Sequence, residues 1–112
     1  MDKITFFRQI IEKRLSKIAH NGISSDPSLQ IRYVFDPKTD EHILMMLGWS
    51  KHRYSHGLLM HLQIKDGKIW VHQDRTDFDI GNLLTEDGVP KSDIVLGFVE
   101  PMLRGTYGFA SA

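Results

Sequence analysis

The chain has 112 residues, 41% apolar and 25% charged, with fourteen basic side chains against fourteen acidic ones. That length holds one domain with a modest core, and zero net charge argues against autonomous binding to nucleic acid, where phosphate neutralisation supplies most of the affinity. The absence of cysteine excludes disulfides and thiolate sites, and no signal peptide or apolar run of membrane-spanning length is visible, so the chain reads as soluble and cytoplasmic.

Residues 3–20 are predicted as a helix. Ile4, Phe7, Ile11, Leu15 and Ile18 form one apolar stripe at helical spacing, with Asp2 placed to cap it and Asn21-Gly22 to end it. Phe6 and Ile10 widen that face beside Lys13 and Lys17, which read as a solvated edge. Gly22 to Ser28 is a loop. Leu29 to Asp36 alternates Leu29, Ile31, Tyr33 and Phe35 with outward positions, the pattern of a strand buried on one face. After a turn at Asp36 to Asp40, His42 to Ser50 reads as a strand apolar on both faces, hence central or covered by an oligomer partner. Lys51 to Ser55 is a basic, polar connection.

The strongest local signal is Asp66-Gly67 between two alternating runs, His56 to Lys65 and Lys68 to Asp74. Asp-Gly suits a two-residue hairpin turn, whose central residues take positive φ. That turn sets Lys65 opposite Lys68. Ile64 then faces Ile69, Leu62 faces Val71 and Met60 faces Gln73 on the core side. Gln63 faces Trp70, His61 faces His72 and Leu59 faces Asp74 on the other side.

Thr76 is expected to cap a short helix over residues 77–86, with Asp77 and Asp79 in its first turn and Ile80, Leu83 and Leu84 buried. Gly88 ends it. Pro90 to Asp93 reads as a turn, Ile94 to Phe98 as short and extended, and Met102 to Arg104 as a helical turn. Tyr107 and Phe109 in the tail are expected to dock on the body or on a neighbouring chain. The expected fold class is α+β: an N-terminal helix on a four-stranded antiparallel meander, followed by short C-terminal helices.

Two constellations bear chemistry. His61, His72 and Asp74 share one face in the expected register, and two imidazoles with a carboxylate suit zinc or ferrous iron. The competing reading is a polar open face or histidines at a subunit contact. Lys51, His52, Arg53 and His56 surround Tyr54, a basic loop with an aromatic that suits a phosphate or an acidic partner. The competing reading is a solvated loop. Direct DNA binding through Lys51, Arg53, Lys13 and Lys17 stays open as an alternative. No phosphate loop, His-Glu-x-x-His or Gly-x-Ser-x-Gly occurs, so no catalytic residue and no cofactor is assigned.

From Gly48-Trp49 onward the residues resemble a known family. The carrying positions are Gly48-Trp49, Arg53, His56-Gly57 and His61, the block Ile64-Lys65-Asp66-Gly67-Lys68-Ile69-Trp70, then Asp74 and Thr76. Gly88-Val89-Pro90-Lys91, Asp93 to Phe98, Pro101, Arg104 and Phe109-Ala110 complete the pattern, and the N-terminal helix fits more loosely. The chain is similar to the XisI family, the fdxN-element excision controlling factors of cyanobacteria. Two departures stand out. Asp77-Phe78-Asp79-Ile80-Gly81 replaces the family's Glu-x-Gly-Ile-Ala, and Val99 stands where the family has a histidine after Gly-Phe.

The resemblance implies a non-enzymatic controlling factor that acts with a XisH-like partner, beside a separate recombinase, when a DNA element is excised during heterocyst differentiation. Contact with DNA is then indirect. Trp49, Arg53, His56, Trp70 and Arg104 are the candidates for touching the partner. Met and Trp surface on the sheet also suggests a homo-oligomer, most simply a dimer.

Overall fold

A computed structural model describes residues 2–22 and 26–112 of the chain. The middle of the expected loop, residues 23–25, lies outside the described residues. Helix α1 spans Lys3–Asn21. Asp2 lies in extended conformation and its Oδ1 accepts the Thr5 N–H at 2.8 Å, satisfying one of the donors a helix start leaves open. Gly22, at φ 78°, ends the helix by donating its N–H to the Ile18 carbonyl. Phe7, Ile11, Leu15 and Ile18 are buried, as their spacing required. Each contributes about 1.5–3 kcal/mol by leaving water.

The strands are β1 (Gln30–Asp36), β2 (Glu41–Ser50), β3 (Arg53–Lys65), β4 (Lys68–Asp74) and β5 (Ile94–Leu96), in that order across one sheet. The first four pair antiparallel as a meander. The expected four-stranded sheet is corrected by β5, which runs parallel to β4. A parallel neighbour needs a crossover, and residues 75–93 supply one that carries helix α2 (Ile80–Glu86) onto the same core as α1. Ala110 in the tail bridges Val95 and extends that edge.

The core joins Phe7, Ile11 and Leu15 of α1 to Leu44, Met60, Leu62, Ile69, Val71 and Ile94 of the sheet and to Ile80 and Leu84 of α2. Three ion pairs fix the position of α1 on the body: Lys3–Asp93 at 3.0 Å, Arg8–Asp40 at 2.7 Å and Arg14–Asp87 at 2.5 Å. Such pairs add little energy each when exposed, so their main effect is orientation.

Several expectations are corrected. The basic connection at Lys51 to Ser55 shrinks to a two-residue turn, because β3 already begins at Arg53. The strand β2 is fully buried only at His42 and Leu44; Met45, Met46 and Leu47 are half-buried and Trp49 is exposed. Thr76 does not cap α2. Asp74 Oδ1 accepts from both the N–H and the hydroxyl of Thr76, which curls the chain into a turn, and Asp74 Oδ2 accepts the Ile80 N–H at 3.0 Å. The helix therefore starts late, at Ile80, behind Asp79 in left-handed conformation. The expected short C-terminal helices are α2 and two 3-10 turns, Lys91–Asp93 and Pro101–Tyr107. In the tail, Phe109 docks against α2, where a Cβ on Gly81 would stand 3.1 Å from its ring, whereas Tyr107 remains 58% exposed.

Candidate functional site

The hairpin of β3 and β4 keeps the expected register at Ile64–Ile69, Gln63–Trp70 and Leu62–Val71. Then it slips. His61 pairs with Gln73 and Met60 with Asp74, leaving His72 as the extra residue of a β-bulge. The expected pairs His61–His72, Met60–Gln73 and Leu59–Asp74 are corrected by that one inserted residue. The imidazoles still meet, with ring centroids 4.9 Å apart. His61 Nε2 donates to Glu41 Oε1 at 2.9 Å and His72 Nε2 donates to Gln63 Oε1 at 2.9 Å. Gln63 in turn donates to the Thr39 carbonyl, and the Thr39 hydroxyl donates to Glu41 Oε2 at 2.7 Å. Burial, with the neighbouring His61, holds His72 below the ordinary imidazole range; the Thr39 and His61 donors hold Glu41 below the carboxylate range.

Asp74 does not join them. Its carboxylate is taken up by Thr76 and the start of α2. Among the described residues no group of three or more His, Asp or Glu side chains is placed to hold a metal ion. The structure thus brings together two of the three candidate metal ligands and directs the third elsewhere.

A second polar network was not legible in the sequence. His42, buried in β2, stacks on Phe35 with centroids 4.5 Å apart. Its Nδ1 accepts the Tyr33 hydroxyl at 2.8 Å, and its Nε2 donates to Asp40 Oδ1 at 3.2 Å, the one tautomer that satisfies both partners. Asp40 also receives Arg8. Burial lowers the His42 pKa, against the opposing pull of Asp40. Burial, with Glu12 and Asp40 nearby, pushes Tyr33 up to about 12. A hydroxyl, an imidazole and a carboxylate stand in the order of a catalytic triad, yet a phenol so reluctant to ionise stays a hydrogen-bond donor. The arrangement locks α1 to the β1–β2 turn.

The partner-contact candidates fall in two places. Trp49, Arg53 and His56 lie at the far end of the β2–β3 hairpin. There Trp49 packs on Tyr54 with centroids 5.2 Å apart, and Tyr54 stacks along His56 at 6.2 Å. Arg53 and His56 line a groove of about 410 Å³ with Met46, Leu59 and Arg75. Trp70 and Arg104 lie at the other end of the sheet. The Arg104 guanidinium sits 5.3 Å from the Trp70 ring, and Lys65 Nζ lies over the same ring at 4.9 Å. Arg104 also donates to the carbonyls of Val99, Gly97 and Ser111, so it clasps the C-terminal segment. The Trp70 indole N–H is buried and has no hydrogen-bond acceptor among the described residues.

The model of the family described as XisI protein matches residues 1–111. The chain belongs to the XisI family. Its solved relatives agree over the whole length. A XisI-like protein from Anabaena variabilis ATCC 29413 is 29% identical over 97% of this chain and 99% of that one, with a TM-score of 0.87. The fdxN element excision controlling factor XisI from the same organism is 32% identical over 99% of this chain and 100% of that one, with a TM-score of 0.80. No curated protein matches the chain. The XisI match covers both candidate areas, the distal hairpin and the Trp70–Arg104 clasp.

Proposed function

We propose that this XisI-family chain is an accessory controlling factor in excision of a DNA element, and that it works by binding a XisH-like protein rather than by catalysis. The observation that carries this reading is the end-to-end match, at 32% identity, to a protein named as the fdxN element excision controlling factor XisI. The local chemistry supports it. His61, His72, His42 and Asp74 are each engaged in bonds that hold the fold. Arginine and tryptophan side chains, the residue types that dominate protein interfaces, stand at Trp49, Arg53, Trp70 and Arg104. The factor acts in the cytoplasm, where the element lies, and reaches DNA through its partner. Among the described residues no helix is long and apolar enough to cross a membrane.

A reconstituted excision assay tests this. A reporter element is placed with its recombinase and the XisH-like protein, with and without this chain. The excision junction should form only, or much faster, when the chain is present. A junction that forms equally without it contradicts the reading.

A further inference from the structure

The β3 strand is thirteen residues long, but β4 pairs with it only as far as Met60–Asp74. One more bond, from the Arg75 N–H to the Leu59 carbonyl at 2.8 Å, closes that ladder. Beyond it, Arg53 to Leu58 pair with β2 on one side and, among the described residues, with no strand on the other. The two-residue turn at Lys51–His52 makes Ser50 and Arg53 the hydrogen-bonded closing pair. By the alternation of an antiparallel ladder, the backbone groups of Arg53, Ser55 and Gly57 face β2, and those of Tyr54, His56 and Leu58 face outward. Three donors and three acceptors therefore line an open sheet edge.

This edge is chemically distinct. Between Glu41 and Asp66 the chain holds no carboxylate, but it holds Lys51, Arg53, Lys65 and four histidines. Arg53 and Arg75 stand at the two ends of the groove that flanks the edge, and neither forms an ion pair among the described residues. Asp26 accepts from the Ser50 hydroxyl, which lies in β2. A Cβ at Gly57 would meet nothing within 4 Å, so the groove floor is open. Tyr54 and His56 line the same groove, alternating with Arg53 and Ser55 along the strand, and Trp49 packs on Tyr54.

We infer that the free edge of β3 at residues 53–58 takes up an extended, acidic segment of a partner protein as an added β-strand. Such a strand satisfies the outward groups of Tyr54, His56 and Leu58. Its carboxylates reach Arg53 and Arg75, which line the groove, and its apolar side chains pack on Tyr54 and Trp49. A DNA backbone has no donors to match the open carbonyls, and an RNA backbone offers only its 2′-hydroxyls. A second copy joined edge to edge across a two-fold axis would set like charges together in this stretch. The inference rests on the partner-binding reading above and specifies where and through what chemistry the contact is made.

Amide hydrogen exchange, read residue by residue by NMR, tests it. The probe is a short capped peptide alternating glutamate and valine. Exchange at Tyr54, His56 and Leu58 should slow by at least about tenfold when the peptide is added. A lysine–valine peptide of the same length should give no protection. Arg53→Glu with Arg75→Glu should weaken the glutamate peptide by about tenfold. Leu58→Pro, at an edge position whose N–H faces solvent, should abolish protection; the charge reversal keeps the test decisive if the proline variant fails to fold. Four results overturn the inference: no protection, equal protection by the lysine peptide, protection by a single-stranded oligonucleotide instead, or protection that rises with protein concentration alone. The XisH-like protein separates this inference from the reading beneath it. If it co-purifies equally with the wild-type chain and with the double-arginine variant, the edge assignment falls and the partner reading stands. If it fails to bind the wild-type chain, that reading falls, and the peptide still tests the edge.

Discussion

Arg8 on α1 grips Asp40 at the β1–β2 turn through two nitrogens, Nε at 3.2 Å from Oδ1 and Nη2 at 2.7 Å from Oδ2. On its other side the same carboxylate accepts from buried His42. One acid thus holds a helix and a strand together, and it does so from a left-handed backbone at φ 58°.

Removing that acid strips a buried imidazole of its acceptor. Asp40→Ala should therefore cost about 1–3 kcal/mol. Asp40→Asn keeps an acceptor and tolerates the left-handed backbone, so it should cost clearly less. Urea denaturation of the two variants beside the wild type measures the difference. Equal losses would show that the network contributes nothing specific.

Stability should also fall on mild acidification. Burial lowers the pKa of both His42 and His72 from the ordinary 6.5. The unfolded chain then binds more protons than the folded one as pH drops through that value, so the contribution present above 6.5 is lost below it. The carboxylates with lowered values, Asp2, Asp26 and Glu41, act in the same direction at lower pH. The urea midpoint should be lower at about pH 5.5 than at about pH 7.5. In His72→Gln the difference should shrink. A midpoint that ignores pH over this range would contradict the burial of the two rings.

Gly48 is the position where the backbone demands glycine most plainly. Its φ is 143°, and a Cβ there would lie 2.3 Å from the Ser28 carbonyl oxygen. Gly48→Ala should destabilise by at least about 1–3 kcal/mol from backbone strain, with the clash added. Gly57→Ala, where a Cβ meets nothing, should fold as the wild type does. Thermal melts of both variants make the comparison.

The two expectations of self-association locate differently in three dimensions. Trp70 is half-buried beneath Arg104 and Lys65; exposed large apolar side chains stand at Trp49 and Tyr54 on the distal hairpin and at Phe98, Met102, Leu103 and Tyr107 in the C-terminal segment. If the chain pairs with itself, Met102→Asp, at an 89% exposed position, should lower the mass seen by light scattering without lowering the melting temperature. A wild-type chain of monomer mass at every concentration removes this expectation.

Much of the fold was legible because local signals agreed with tertiary ones. The stripe from Phe7 to Ile18 and the Asp66-Gly67 turn each fix one element and its buried face. The bulge at His72 was not legible, since nothing in a strand's alternation announces one extra residue. That residue decides the candidate metal site, because it directs Asp74 to α2 and away from His61 and His72. The parallel placement of β5 was hidden too; Ile94 to Leu96 read as extended, but its partner lies across a crossover. Tyr33, Asp40 and His42 seemed unrelated in sequence because each falls in a different local pattern: an alternating strand, a turn and an apolar run.

The most direct measurement is co-expression of this chain with a XisH-like protein, using a tag on the XisH-like protein alone. The two should co-purify in fixed stoichiometry and elute together in gel filtration. Separate elution of two well-folded proteins would contradict a controlling factor that works through that partner.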